Sequence, residues 1–414
     1  HLPLYYALFD ICTRGHMNPD LAHLQAYPFE RLKTLKAGIA PPANLSPIFL
    51  SIGAPKHPAP EFIKQALIEH INLLELYPAT KAIPELRQAI QNWLCHRFNL
   101  SSDTLDIERN ILPVTGTREA LFAIAQTIVD PSQNPVVMMP NPFYQIYEGA
   151  ALLSHAQPYY LSTTSDNHYQ PDYSDVPDDI WKRCQLLFVC TPGNPTGAVM
   201  SQADFEQVLT LAEKHDFIVA SDECYSELYP DETNPPLGLL EAAHAMGNDT
   251  YKRCIAFNSL SKRSNVPGLR SGFVAGDADI IDAFYQYRTY HGCTLSIPAQ
   301  HASIAAWQDE AHVLENRDKY RTKFEQVLAI LSPVIEVSAP DASFYLWPKT
   351  PIDDTKFAQH LFASQNVTTL PGQYLSRSVK GFNPGQNRLR LALVATEAEC
   401  LDAANRIKSS LETL

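Results

Sequence analysis

Four short runs are almost wholly apolar: Leu186-Leu-Phe-Val-Cys190, Phe217-Ile-Val-Ala-Ser221, Ile255-Ala-Phe-Asn258 and Phe273-Val-Ala275. A strand with one wet face alternates apolar and polar residues. A run that does not alternate needs cover on both faces, as in a parallel sheet between two helical layers. Residues 202–215, between the first two runs, carry a helical apolar spacing. Upstream, residues 111–114 and 136–139 read as strands, and residues 119–128 as a helix. Strands alternating with helices predict an α/β layered domain on a mostly parallel sheet. In open sheets of this kind, ligands bind beyond the carboxyl ends of the strands. The polar residues that follow these runs are therefore the candidates for chemistry.

The flanks read differently. Residues 48–52 predict a strand ending at Gly53, and residues 60–76 and 84–98 predict helices, the latter opened by Pro84. After about residue 278 helical patterns dominate. The apolar segments 334–337, 343–347 and 388–393 then predict the strands of a small α+β domain. The expected organisation is an N-terminal segment (17–65) that joins the small domain, a large α/β domain (66–295) and a C-terminal small α+β domain (296–414). Gly15-His16-Met17 resembles the remnant of an expression vector, so residues 1–16 are expected to be vector-derived.

Several function classes lose support at once. The formal net charge of −13 argues against a general nucleic-acid binder. No apolar run approaches the length of a membrane span. The eight cysteines include no Cys-x-x-Cys pair, so they read as free thiols in a reducing cytoplasm, without a metal site. Neither Gly-x-Gly-x-x-Gly nor a Walker A loop is present.

What stands at the strand ends fits a phosphorylated heteroaromatic ring. Gly116 and Thr117 fall between a strand and a helix, where backbone N–H groups favour an anion. Tyr144 offers a face for a flat ring. Asn194, in Pro192-Gly-Asn-Pro-Thr-Gly197, could donate a hydrogen bond from a turn. Asp222 could hold a ring nitrogen protonated, and Tyr225 could bond a ring oxygen. Ser259-Leu-Ser-Lys262 sets one lysine among hydroxyls, with Arg270 eight positions on. A lysine becomes a nucleophile only when its amine can be neutral. Near the C-terminus, Arg390 offers the planar fork that matches a carboxylate.

Gly-Asn194-Pro-Thr-Gly, Asp222-Glu-Cys-Tyr225, Ser259-Leu-Ser-Lys262 and Gly-Leu-Arg270-Ser-Gly resemble, in order and spacing, the motifs of class I/II (fold-type I) pyridoxal-phosphate aminotransferases. The resemblance implies that Gly116, Thr117, Ser259 and Arg270 bind cofactor phosphate, with Tyr144 stacked on the ring. It further implies that Asn194 and Tyr225 hold the ring oxygen, Asp222 pairs with the ring nitrogen, and Lys262 carries the cofactor and moves the substrate proton. Arg390, Asn194 and the Gly53 backbone would take the substrate carboxylate. It also implies a homodimer with shared sites, Tyr77 and Ser296 being placed to reach a partner's phosphate. Gly292 stands where dicarboxylate-specific members carry arginine; Arg288 nearby is an alternative cation, though it reads first as a helix-surface charge. A finer resemblance lies in Tyr27-Pro-Phe-Glu-Arg-Leu32, Asn141-Pro-Phe-Tyr-Gln-Ile-Tyr-Glu-Gly149, the run from Ser259 to Gly276 and Asp341-Ala-Ser-Phe-Tyr-Leu-Trp347. These strings are similar to bacterial N-succinyldiaminopimelate aminotransferases, which implies exchange of an amino group with 2-oxoglutarate. Another class I aminotransferase, a carbon–sulfur lyase on the same fold and a non-catalytic regulatory relative remain open alternatives.

Overall fold

The computed structural model describes residues 17–414, so the expectation for residues 1–16 lies outside it. Its centre is a seven-stranded sheet. In chain order the strands are β2 (Ile111–Val114), β3 (Val136–Asn141), β4 (Gln157–Ser162), β5 (Cys184–Cys190), β6 (Ile218–Asp222), β7 (Cys254–Ser259) and β8 (Gly272–Gly276). Their spatial order is β2-β8-β7-β6-β5-β3-β4. Only β8 runs against its neighbours β2 and β7.

Successive side chains of a strand point to opposite faces, and both faces of this sheet are buried. Leu187, Val219, Ala256 and Phe273 enter one apolar core, with Trp93, Phe205 and Trp307. Their chain neighbours Phe188, Ala220, Phe257 and Val274 enter another, with Leu121, Tyr147 and Phe284. This two-sided burial explains the runs without alternation. The parallel strands end at one edge, where Cys190 lies beside Asp222 and Ser259 beside Gly272.

A third core joins the two ends of the chain. Strand β1 (Ile48–Phe49) pairs in parallel with β10 (Val367–Thr368). Ile48 and Leu50 pack with Leu346, Phe357, Leu391 and Ile407. Beside them β9 (Tyr345–Leu346), β11 (Leu370–Pro371) and β12 (Leu389–Ala392) form a small antiparallel sheet. The helix Ala311–Leu331 packs on the C-terminal helix Glu397–Leu411.

Three expectations need correction. Residues 334–337 form no strand: the helix before them ends at Leu331, and Val334 turns out to solvent. The helix expected over 60–76 breaks at His70, whose ring nitrogen bonds the Ala66 carbonyl at 2.8 Å, leaving Glu61–Glu69 and a 3-10 segment, Ile71–Glu75. Strand β4 has no counterpart among the expected elements. It lies at the sheet edge, where Pro158 and polar residues are tolerated.

Candidate active site

Five segments converge where β2, β3, β5, β6 and β7 end. The turn after β2 gives Gly116 a φ of +88°, in the region that favours glycine. A Cβ there would collide with the Arg270 guanidinium, so these two residues touch although 154 positions separate them. Thr117 opens the helix Thr117–Ile128. A Cβ on Gly272 would lie 3.3 Å from Thr117 Cγ2 and 3.4 Å from Ser259 Cα. Gly116, Thr117, Ser259 and Arg270 are thus one cluster: helix N-terminal amides, two hydroxyls and a guanidinium. That donor set suits a phosphate.

Asp222 is the last residue of β6 and is buried. Tyr147 Oη donates to its Oδ2 at 2.6 Å, and the Cys224 amide donates to Oδ1 at 3.3 Å. Burial pushes its pKa up, while these bonds and the Lys262 charge oppose the rise. Tyr144 accepts from Arg118 Nε at 2.8 Å and meets Tyr147 edge-on at 5.8 Å. Tyr225 is buried with its hydroxyl 3.0 Å from Tyr345 Oη.

Lys262 sits on a single helical turn, Leu260–Arg263, directly after β7. Its Nζ donates to the Gly53 carbonyl and lies 5.4 Å over the Phe344 ring. Burial is the main cause that lowers its pKa to about 8; Cys224 opposes this, while Arg390, Arg270 and Arg118 add to it. In the cofactor-free protein, amine-selective labelling of Lys262 should therefore titrate near pH 8 and not near the ~10.4 of free lysine. The unfolded chain holds this proton to the higher pH, so between the two values folding stability from this group rises with pH. Labelling read by peptide mass spectrometry checks the midpoint, and a value near 10 contradicts the burial argument.

Arg390 is 5% exposed on β12. Its Nη1 donates to Asn194 Oδ1 at 2.9 Å and its Nη2 to the Ser51 carbonyl at 2.8 Å. Tyr345 lies 4.6 Å from the guanidinium carbon. Guanidinium offers five N–H groups, so this oriented cation keeps donors to spare, its buried Nε among them.

The family model for aminotransferase class I and II matches residues 46–407. The chain belongs to this family. An LL-diaminopimelate aminotransferase of Nitratidesulfovibrio vulgaris is 30% identical over 395 residues, 94% of this chain and 97% of that protein. The crystal structure of an aminotransferase from Neisseria meningitidis Z2491 superposes with a TM-score of 0.91 at 48% identity, covering 95% of this chain and 99% of its own. A structure named as a probable N-succinyldiaminopimelate aminotransferase from Thermus thermophilus gives a TM-score of 0.80 at 26% identity, covering 92% of this chain and 100% of that one. This aminotransferase, like its family, uses pyridoxal phosphate. The residues present fit that group: an anion cradle at Gly116 and Arg270, a buried carboxylate at Asp222, and between them an amine of lowered pKa.

The other expected residues fall differently. Gly53 is in the site through its carbonyl, and Tyr345 Oη fills the space a Cβ there would take. Ser296 stands at the start of the helix Ile297–Gln308 without a side-chain capping bond, and Tyr77 is fully exposed on this chain. Arg288 is corrected: far from being a helix-surface charge, it is wholly buried, with Nη1 on Glu119 Oε1 at 2.8 Å and Nη2 on the Cys293 carbonyl at 2.5 Å. Tyr147, Tyr345 and Arg118 were not among the candidates. Arg118 directly follows Gly116-Thr117 and also reaches Tyr27 Oη at 3.4 Å, so its position was the available signal.

Proposed function

We propose that this aminotransferase exchanges an amino group between N-succinyl-LL-2,6-diaminopimelate and 2-oxoglutarate. One observation carries the assignment of roles: a three-residue stretch of backbone binds both cations, the Ser51 carbonyl holding Arg390 and the Gly53 carbonyl holding Lys262. An α-carboxylate seated on Arg390 and Asn194 would bring its α-carbon toward Lys262.

Bound pyridoxal phosphate supplies the aldehyde that receives the amino group and the ring that draws electrons from the α-carbon. The chain does the rest. Gly116, Thr117, Ser259 and Arg270 would hold the phosphate, and Tyr144 would cover the ring. Asp222, oriented by Tyr147, would keep a positive charge on the ring nitrogen, while Asn194 and Tyr225 would hold the ring oxygen. Lys262 would anchor the group covalently and, as a neutral amine, would take up and release the substrate α-proton at Nζ. A pKa of about 8 lets that nitrogen be neutral at modest cost near neutral pH.

The donor assignment rests on the similar strings around residues 27–32, 141–149, 259–276 and 341–347 and on the likeness to the probable N-succinyldiaminopimelate aminotransferase of Thermus thermophilus. The name of the Nitratidesulfovibrio relative supports the unacylated donor as the second reading. Aspartate is disfavoured, since Gly292 offers no side chain and Arg288 is engaged with Glu119. Arg118, an exposed cation bonded to Tyr144, is the one we assign to the distal carboxylate. Ile68, Ile71, Leu74, Leu76 and Tyr77 expose an apolar patch, which supports a homodimer. A donor panel with 2-oxoglutarate tests the assignment. The N-succinyl donor should exceed both LL-diaminopimelate and aspartate in kcat/KM by about tenfold or more, the worth of one satisfied polar contact. Faster turnover of either competitor rejects it.

A further inference from the structure

Packed against the Lys262 turn runs a chain of polar side chains, buried at both ends and half-buried at His57, that the reaction as derived does not use. Lys323 and Asn316 lie on the helix Ala311–Leu331, each only 2% exposed. Seven residues apart, they share one helical face with Tyr320. Between them stands His57, in the loop four residues after Gly53. His57 Nδ1 is 2.8 Å from Asn316 Oδ1, and His57 Nε2 is 2.7 Å from Lys323 Nζ. Asn265 Nδ2 also donates to Asn316 Oδ1, at 3.0 Å. The amide nitrogen of Asn316 turns to the Lys262 carbonyl at 3.5 Å. Lys323 completes its set on the Leu393 carbonyl at 3.1 Å, three residues after Arg390.

These partners determine the protonation. An amide oxygen only accepts, so His57 Nδ1 carries a hydrogen. Its Nε2 is then left as the acceptor for the Lys323 ammonium, and the imidazole is neutral. Burial first, then the Lys323 and Lys319 charges, lower the His57 pKa, in keeping with that state. The aromatic contacts run in parallel. His57 packs on Tyr320 at 4.8 Å, Tyr320 on Phe344 at 5.7 Å, and Phe344 lies under Lys262 Nζ. The chain therefore touches the backbone of Lys262, the loop whose Gly53 carbonyl receives Lys262 Nζ, and the segment after Arg390.

The geometry points to His57 and Asn316 as positioning residues for the amino-transfer step: they fix the 53–57 loop and the Lys262 turn against the segment that follows Arg390. Their own contacts are with Asn265, Lys323, Tyr320 and the Lys262 backbone, so they act at one remove. They act by keeping the amine of Lys262 and the carboxylate site of Arg390 in register. The inference rests on Lys262 being the reacting lysine.

Four holoenzyme variants test it: His57→Ala, His57→Gln, Asn316→Ala and Lys262→Ala. A glutamine can donate with its amide nitrogen and accept with its amide oxygen, as the neutral imidazole does. His57→Ala and Asn316→Ala should lower kcat per bound cofactor by about 10- to 100-fold, the scale of a misplaced reacting group. Cofactor content and the melting temperature of the cofactor-free protein should change little, and His57→Gln should regain most of the rate. Wild-type kcat in both alanine variants overturns the inference. So does a loss of activity that follows cofactor content or melting temperature alone, with kcat per bound cofactor unchanged, since that describes a structural role. Normal turnover in Lys262→Ala would instead reject the assignment of the reacting lysine.

Discussion

Lys262→Ala should lower transamination by about four orders of magnitude, the upper end for loss of a positioned proton carrier, and remove the absorbance of lysine-linked cofactor. The protein should remain folded. The single turn that carries Lys262 is held by other groups: Ser259 Oγ accepts from the Ser261 amide at 3.0 Å, and buried Arg263 bonds the Ala306 carbonyl at 2.7 Å. The Lys262 side chain itself gives up only its bond to the Gly53 carbonyl and its place over Phe344. Truncation also removes a buried amine whose charged form burial disfavours. Rate and spectrum should therefore collapse while the melting temperature moves little. Wild-type rates with an unchanged spectrum would exclude Lys262 as the reacting lysine.

Arg390→Ala carries the second large effect. The guanidinium is buried, bonded to Asn194 and Ser51, and packed on Tyr345. Losing one partner of a buried, hydrogen-bonded charge pair costs about 2–5 kcal/mol, or roughly 30- to 4000-fold in kcat/KM. Every donor and acceptor of the reaction carries an α-carboxylate, so both half-reactions should suffer. Arg390→Lys restores the charge but not two parallel N–H groups, so it should recover only part of the loss. Steady-state kinetics with each substrate varied in turn check this. A kcat/KM within threefold of wild type for every carboxylate substrate would place the carboxylate elsewhere.

The central sheet was legible because its strands are covered on both faces, which leaves runs without alternation. The helix Gln202–His215 falls on its expected bounds because its apolar spacing is regular; in the structure a capping box of Ser201 and Asp204 starts it and left-handed Asp216 ends it. Strand β4 was hidden by its place at the edge, where exposed side chains and Pro158 blur the pattern. Arg288 misled because a charged residue in a helical pattern normally faces water. Here Glu119 comes from a helix 169 positions earlier in the chain to neutralise it. The site residues that end strands could be found from sequence, because each follows an apolar run. Those that support them could not. Tyr147 is one aromatic on a helix until the fold sets its hydroxyl on Asp222. His57 and Asn316, 259 positions apart, have no local pattern in common.

A single-turnover experiment tests the central claim most directly. Holoenzyme is mixed with N-succinyl-LL-2,6-diaminopimelate in the absence of any keto acid, and product, ammonia and cofactor spectrum are followed together. Amino transfer through Lys262, with the substrate seated on Arg390, predicts one equivalent of keto product per active site, no free ammonia and one equivalent of nitrogen retained by the enzyme. Turnover should resume when 2-oxoglutarate is added. Continuous release of ammonia without a keto acid, as a lyase would give, or no keto product at all, would contradict it.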